Sequence, residues 1–334
     1  MFALGGLRPK YAKKLAWHSS ISKACESRFR RHSTQSRSFV RLESMVAHTT
    51  ADVITSRENR WVKLFRASLR ATGPASDEPI AVEGPKLIED ALRHGLVTEA
   101  LMVSESGEAS LERILRAASN SESGIERSHV LRTTDKIFGT ISGTESPQGV
   151  AALFRQPVWD FDDIFGRISS GSVTSEHSAL PLVLVMAGLQ DPGNVGTIVR
   201  SAEAFGATGV ITTRDTADPW SPKAVRASAG SALRLPILRG ISSAVLLTQL
   251  RISKIKIVTS GSAASKGSAA EGSTMPDFRE PLAIFIGNEG AGVPLEVANA
   301  ADFHISIPTK AVESLNAGIA ASILLYEASR QRKS

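Results

Sequence analysis

Cysteine is nearly missing from this sequence: Cys25 is the only one in 334 residues. No internal disulfide can form and Cys-rich zinc spacing is absent, so no metal site is assigned and a reducing compartment fits best. No run of about eighteen apolar residues occurs, which argues against a membrane-spanning helix. Aromatic residues are sparse at 5%, but 42% hydrophobic and 22% charged residues are ordinary for a globular protein. The length allows two domains and a sizeable core.

A global positive field is missing as well, despite a formal charge of +6. Of 39 basic and 33 acidic residues, residues 1–44 hold ten and two, which leaves 29 and 31 in 45–334, a net of −2. Affinity for nucleic acid must therefore come from local patches. The leader is rich in Arg, Ser and Ala and poor in acids. It reads either as a mitochondrial transit peptide, which would place the protein in the matrix, or as sequence upstream of a true start at Met45, in a cytoplasmic protein. The cytoplasmic reading is preferred, and the fold begins after the leader in both.

From residue 59 helical and strand-like pieces alternate. Trp61, Leu64, Phe65 and Leu69 recur at helical spacing. Strands are expected at 80–82, 101–103, 130–132 and 149–154, with helices at 86–92 and 111–118. Residues 155–180, with Ser169-Ser170-Gly171-Ser172, read as a linker. Beyond it, the apolar run 182–186 suits a strand covered on both faces. Further strands are expected at 209–213, 255–259, 282–286 and 303–307. Helical patterns between them imply a parallel α/β sheet. The Ser/Gly/Ala stretch 260–274 reads as a surface loop.

Three segments of the C-terminal half carry chemistry. The first is Gln190-Asp191-Pro192-Gly193-Asn194-Val195-Gly196, directly after a strand, with Asn194 as N-cap and free backbone N–H groups as an anion site. At 100° per residue, Val195, Ile198, Val199, Ala202 and Phe205 share one helix face. Arg200 lies opposite, over the gap left by Gly196, with Glu203 nearby. The spacing is not the Gly-x-Gly-x-x-Gly of a dinucleotide loop, so a nucleotide- or NAD-linked enzyme is a remote reading. The second segment is Ile284-Phe285-Ile286-Gly287-Asn288-Glu289-Gly290-Ala291-Gly292-Val293-Pro294, whose glycines let a ligand approach the backbone. The third is Ile305-Ser306-Ile307-Pro308 followed by Glu313-Ser314-Leu315-Asn316-Ala317-Gly318, in which Ser314 or Asn316 caps the last helix.

In order, spacing and strand context, these three segments resemble the motifs of the SpoU, or TrmH-like, RNA ribose methyltransferases, over about residues 181–330. Residues 50–155 resemble, more loosely, the small α/β RNA-binding domain that often precedes such a catalytic domain, through Val82-Glu83-Gly84 and Gln148-Gly149-Val150-Ala151. The resemblance implies a parallel-sheet SPOUT domain with a trefoil knot, a homodimer, S-adenosylmethionine as cofactor and RNA as partner, rRNA before tRNA. It implies that Ile286, Gly287, Ile307 and Leu315, with Ser260 and Gly261 as weaker candidates, hold the cofactor largely through backbone. Asn194, Arg200, Glu289, Ser314 and Asn316 would form the catalytic group. One departure is that four residues, 309–312, separate Pro308 from Glu313 where the family usually has five including a glycine. Trp220-Ser221-Pro222-Lys223 with Arg226 is a candidate RNA-facing basic patch, with simple surface solvation as the alternative. From another class, the rival reading is an RNA-binding ribosome or tRNA assembly factor of the same fold without turnover.

Overall fold

The computed structural model describes residues 53–119, 129–166, 180–261, 276–312 and 314–333. The basic leader, Glu313 and nearly all of the 260–274 stretch lie outside the described residues.

Helix α1 (Arg60–Arg70) opens the first module, capped by Asn59, whose side chain accepts from the Trp61 N–H. Its buried residues are Val62, Phe65 and Leu69. Leu64, expected on that face, is 38% exposed, because it sits a quarter turn away from the Phe65–Leu69 line. The strands of this module are β1 (Ile80–Glu83), β2 (Thr98–Ser104), β3 (His129–Thr133) and β4 (Val150–Phe154), in the order β1-β4-β2-β3. β4 is antiparallel to both neighbours, and β2 runs parallel to β3. Helices α2 (Pro85–Arg93), α3 (Glu108–Ser119) and α4 (Asp135–Ile141) cover the sheet. Val62, Phe65 and Leu69 join Met102, Phe138, Ile141 and Leu153 in one core.

The segment read as a linker is partly structured. Helix α5 (Phe161–Phe165) starts on an Asp160/Asp163 capping box, and Ile164 and Phe165 are buried in the core of the second sheet. Five residues give too few turns for a periodic signal, and the low-complexity sequence that follows masked it.

The second module contains β5 (Leu182–Ala187), α6 (Pro192–Ala204), β6 (Gly209–Thr213), α7 (Pro222–Ala227), β7 (Ile237–Ile241), α8 (Ser243–Ile252), β8 (Lys256–Ser260), β9 (Leu282–Gly287), α9 (Leu295–Ala300), β10 (Phe303–Ile305) and α10 (Ala317–Arg332). Six parallel strands lie in the order β10-β8-β9-β5-β6-β7. β5 is buried over its whole length, as its unbroken apolar run implies. Sequence patterning misses β7, since Arg239 and Gly240 interrupt the apolar run of this half-exposed edge strand.

This order places the site. The chain moves outward from β5 to β6 and β7, then returns on the other side to lay β9 against β5. Strand order therefore reverses between β5 and β9, and in open parallel sheets the crevice beyond the carboxyl ends at such a reversal is where ligands bind. Here those ends are Ala187-Gly188 and Gly287-Asn288.

Candidate active site

The loop leaving β5 starts α6 differently from the sequence expectation. Asp191, not Asn194, is the N-cap: its carboxylate accepts from the Asn194 N–H at 3.1 Å, and Pro192 occupies the first turn, where no donor is needed. Lys223 Nζ lies 2.7 Å from the same carboxylate. That hydrogen bond, together with the N–H groups of Gly193 and Asn194, holds Asp191 below the usual carboxylate range. The helix start is thus filled by the protein's own anion, and the anion-site reading is withdrawn. Capping by Asp191 leaves the Asn194 side chain free.

The freed amide joins the three segments. Asn316 caps α10, its Oδ1 accepting from Gly318 N at 2.9 Å and Ile319 N at 3.3 Å. An oxygen committed to backbone donors leaves Asn316 only Nδ2 to offer, and it donates to Asn194 Oδ1 at 3.0 Å. Asn194 must then turn its own Nδ2 outward, and it donates to Glu289 Oε1 at 2.8 Å. A helix cap thereby fixes the orientation of two amides in turn, and the chain ends on a pure acceptor, a carboxylate. Residues 194, 289 and 316, up to 122 positions apart, meet through side chains alone.

The turn after β9 presents Glu289. Asn288 and Gly292 exchange backbone hydrogen bonds at 3.0 and 2.9 Å. Asn288 Nδ2 donates to Gly188 O at 2.9 Å, pinning the turn across the crevice to β5, while its Oδ1 accepts from Gly290 N and Ala291 N. Two of the three glycines are required by the turn itself. A Cβ on Gly287 would meet the Gly292 carbonyl oxygen at 2.5 Å, and Gly292 has φ +70°. Gly290 has space, its nearest neighbour being Asn288 Oδ1 at 3.6 Å.

Arg200 is exposed on α6 and has no hydrogen bond or ion pair with any described residue. The gap expected beneath it at Gly196 is closed: a Cβ there would lie 2.6 Å from Ala227 Cβ and 2.9 Å from Ser228 N, so α7 packs directly on α6. Glu203 is engaged elsewhere, in a fork with Arg234 at 2.8 and 2.6 Å that lowers its pKa. Ser314 is exposed and stands outside the amide chain. Among the cofactor candidates, Ile286 is buried at 2% exposure, so only its backbone can meet a ligand. Ser260 Oγ donates to Phe285 O at 3.2 Å, and Gly261 N to Ile305 O at 3.1 Å, tying together the carboxyl ends of β8, β9 and β10. Gly287, the last residue of β9, and Ile307 and Leu315, on the loops beyond those ends, are half-buried.

Trp220 belongs to the interior rather than to an RNA-facing patch. It is 4% exposed and its indole N–H donates to Ala232 O at 2.9 Å. Arg239, which sequence reasoning missed, stacks on it with the guanidinium 4.1 Å from the ring centroid. Arg239 also pairs with Asp218, donates to Pro74 O at 3.1 Å and to Gln156 Oε1 at 2.6 Å, and so links the two modules. A cleft of about 470 Å³ beside it, lined by Glu78, Arg155 and Trp159, lies at that seam and away from the β5–β9 crevice. An isolated Arg inside a weak strand pattern carries no sequence signal for such a role.

A parallel sheet with polar residues gathered at the strand-order reversal defines an α/β protein with its ligand site at that reversal. Residues 181–326 match the SpoU rRNA methylase family, and residues 75–152 match the MRM3-like substrate binding domain. An uncharacterized tRNA/rRNA methyltransferase of Synechocystis sp. is 32% identical over 292 residues, covering 85% of this chain and 96% of the relative. The 23S rRNA (guanosine(2553)-2′-O)-methyltransferase RlmP of Bacillus subtilis is 29% identical over 276 residues, 82% of this chain and 97% of its own. The AdoMet-bound rRNA methyltransferase of Sinorhizobium meliloti superposes with a TM-score of 0.67 at 29% identity, covering 84% of this chain and 97% of that one. The chain belongs to the SpoU rRNA methylase family, as its three motifs imply, and is an S-adenosylmethionine-dependent RNA methyltransferase.

Proposed function

We propose that the protein transfers a methyl group from S-adenosylmethionine to a ribose 2′-hydroxyl of ribosomal RNA. The observation that carries this reading is the Asn316–Asn194–Glu289 chain, which brings all three motifs to the β5–β9 crevice. The donor fits the residues present. Gly261 leaves backbone uncovered, and half-buried Ile307 and Leu315 offer apolar surface for an adenosine. Bound there, S-adenosylmethionine supplies a methyl group on a sulfonium, a good leaving group for in-line displacement. The protein's task is then to place the 2′-oxygen and assist loss of its proton. A guanidinium, with a pKa above about 12, is a poor base. Arg200 instead holds the adjoining RNA phosphate and polarises the hydroxyl, the proton leaving through phosphate or water. Ser314 flanks the relay in this scheme, and residues 50–155 present the RNA to the catalytic module at 181–330, whose late segments form the knot implied by the family. A cytoplasmic setting suits the single cysteine, and no helix among the described residues is long and apolar enough to cross a membrane.

The test is incorporation of tritiated S-adenosylmethionine into separate unmodified rRNA and tRNA pools. Label in one alkali-resistant rRNA dinucleotide is expected. Alkali-sensitive label would overturn ribose methylation, label only in tRNA would overturn the rRNA assignment, and RNA binding with no turnover would favour the assembly-factor reading.

A homodimer is part of this proposal. Ile319, Ile323 and Tyr326 on α10 recur at i, i+4 and i+7 and remain 53%, 41% and 56% exposed. They border α6, whose C-cap residue Phe205 meets Tyr326 edge-on at 5.8 Å. A second copy of the chain would cover this stripe. Ile323→Glu is expected to halve the molecular mass measured by light scattering, and an unaltered monomer mass for the starting protein would remove the dimer.

A further inference from the structure

Helix α1 lies outside the matched substrate-binding domain, which begins at residue 75. Residues 53–70 nonetheless hold five cations (Arg57, Arg60, Lys63, Arg66, Arg70) against one acid, Glu58, which pairs with Lys63 at 2.6 Å on the exposed surface, whereas residues 45–334 as a whole hold 29 against 31. At 3.6 residues per turn, Arg60, Lys63, Arg66 and Arg70 fall within an arc of about 120°, separate from the buried Val62–Phe65–Leu69 face. A merely solvated face would place acids in the first turn, where the helix dipole favours them. That turn has none, and begins with Arg60. Arg66 and Arg70 are braced on Thr140 O at 3.3 and 3.1 Å, so the far end of the row is held in place.

The row continues into the catalytic module. Glu83, 7% exposed, accepts from Ser142 Oγ at 2.6 Å, Gly143 N at 3.0 Å and Thr144 Oγ1 at 2.9 Å, which fixes the turn after α4. In that turn a Cβ on Gly143 would stand 3.4 Å from Leu69 O and 3.8 Å from Arg226 Nη1. The end of α1 and the guanidinium of Arg226 on α7 are therefore neighbours on either side of a bare glycine. One turn earlier on α7, Lys223 meets Asp191 at the start of α6, the helix of Asn194 and Arg200.

We propose that Arg60, Lys63, Arg66, Arg70 and Arg226 form a track for the phosphate backbone of RNA, leading from the first module to α7, beside the start of the catalytic helix. It rests on the reading of RNA as substrate. From Arg60 to Arg70 the track spans about 15 Å of helix, enough for two or three phosphates. Its contacts are to charge and not to bases, so they set affinity and register without selecting sequence.

The test compares the full chain with Arg60→Glu/Lys63→Glu, two exposed positions, in filter binding and methylation of unmodified rRNA between 50 and 200 mM salt. The KM for rRNA is expected to rise at least tenfold, with a smaller change in kcat. The slope of log affinity against log salt should fall by about 1.4–1.8, at 0.7–0.9 for each lost phosphate contact. Arg60→Lys/Lys63→Arg, which keeps the charge, should restore both, and Arg226→Gln should lower the slope by a further 0.7–0.9 or so. Unchanged KM and slope in the Glu double variant would overturn the track while leaving methylation intact. If the unaltered protein binds rRNA but methylates nothing, the ribose-methylation reading fails, and the slope in filter binding still decides the track.

Discussion

Arg200→Ala is expected to lower the single-turnover rate of methyl transfer by about 10²–10³-fold, the usual cost of removing one oriented donor from a reacting centre. The protein should otherwise be unaltered. Arg200 is exposed and bonds to no described residue, and surface changes of that kind stay within roughly 0.5 kcal/mol. A thermal midpoint within about 2 °C of the starting protein would confirm that only chemistry is lost. Arg200→Lys separates charge from shape. An ammonium keeps the positive charge but lacks the planar fork that grips a phosphate at two points. If the Lys variant retains near-normal single-turnover rates, a specific guanidinium role is wrong and Arg200 is only one more cation for RNA. The position of Arg200 on α6 bears on this. It shares an exposed arc with Thr197 and Ala204, on the side of the helix that adjoins α10. It does not enter the amide chain, and its guanidinium stands open on the surface to a ligand such as an RNA phosphate.

How much of this was legible in advance differs by kind of signal. The run Leu182–Ala187 announced a strand buried on both faces because a central parallel strand has no solvent side to alternate toward. The Ile237–Ile241 strand was hidden because its edge position tolerates Arg239, whose value lies in tying Pro74, Gln156 and Asp218 together across 165 residues. Local rules also misassigned one cap. Asn194 and Asp191 both favour N-cap positions, and Pro192 decides between them, since it fits the first turn only if the helix starts at Asp191. That shift of three residues matters chemically. Asn194 as a cap would have spent its oxygen on backbone N–H groups, whereas in the first turn it is free to pass the orientation of Asn316 on to Glu289. The meeting of residues 194, 289 and 316 lay beyond periodicity, because it depends on which strands are neighbours. Only the resemblance of the three motifs to a known family anticipated it. The phosphate track was illegible for a similar reason: the end of α1 and Arg226 both border Gly143 only because Glu83 folds the Ser142–Thr144 turn between them.

Gly287→Ala and Gly290→Ala should part sharply, although both change one glycine of the same motif. At Gly287 the added methyl would lie 2.5 Å from the Gly292 carbonyl oxygen and within contact of Val293 N, all backbone that cannot rotate aside. The turn must open, at a cost of about 1–3 kcal/mol from overpacking. For a module of this size that lowers the thermal midpoint by roughly 2–4 °C per kcal/mol. Opening the turn moves Asn288 off Gly188 and Glu289 off Asn194, so the cradle proposed for S-adenosylmethionine and the end of the amide chain are lost together. Cofactor affinity measured by calorimetry is expected to fall at least tenfold, and methyl transfer by more than affinity alone explains. At Gly290 the methyl would meet only Asn288 Oδ1, at an ordinary 3.6 Å, and φ is not in the left-handed region. Gly290→Ala should therefore keep the fold, the cofactor affinity within about threefold, and most of the activity, as surface changes do. Equal damage from the two would mean that the motif's glycines serve the approach of a ligand at Gly290 rather than closure of the turn at Gly287. In that case the RNA or the donor must lie against the tip of the turn, with Glu289 facing it directly.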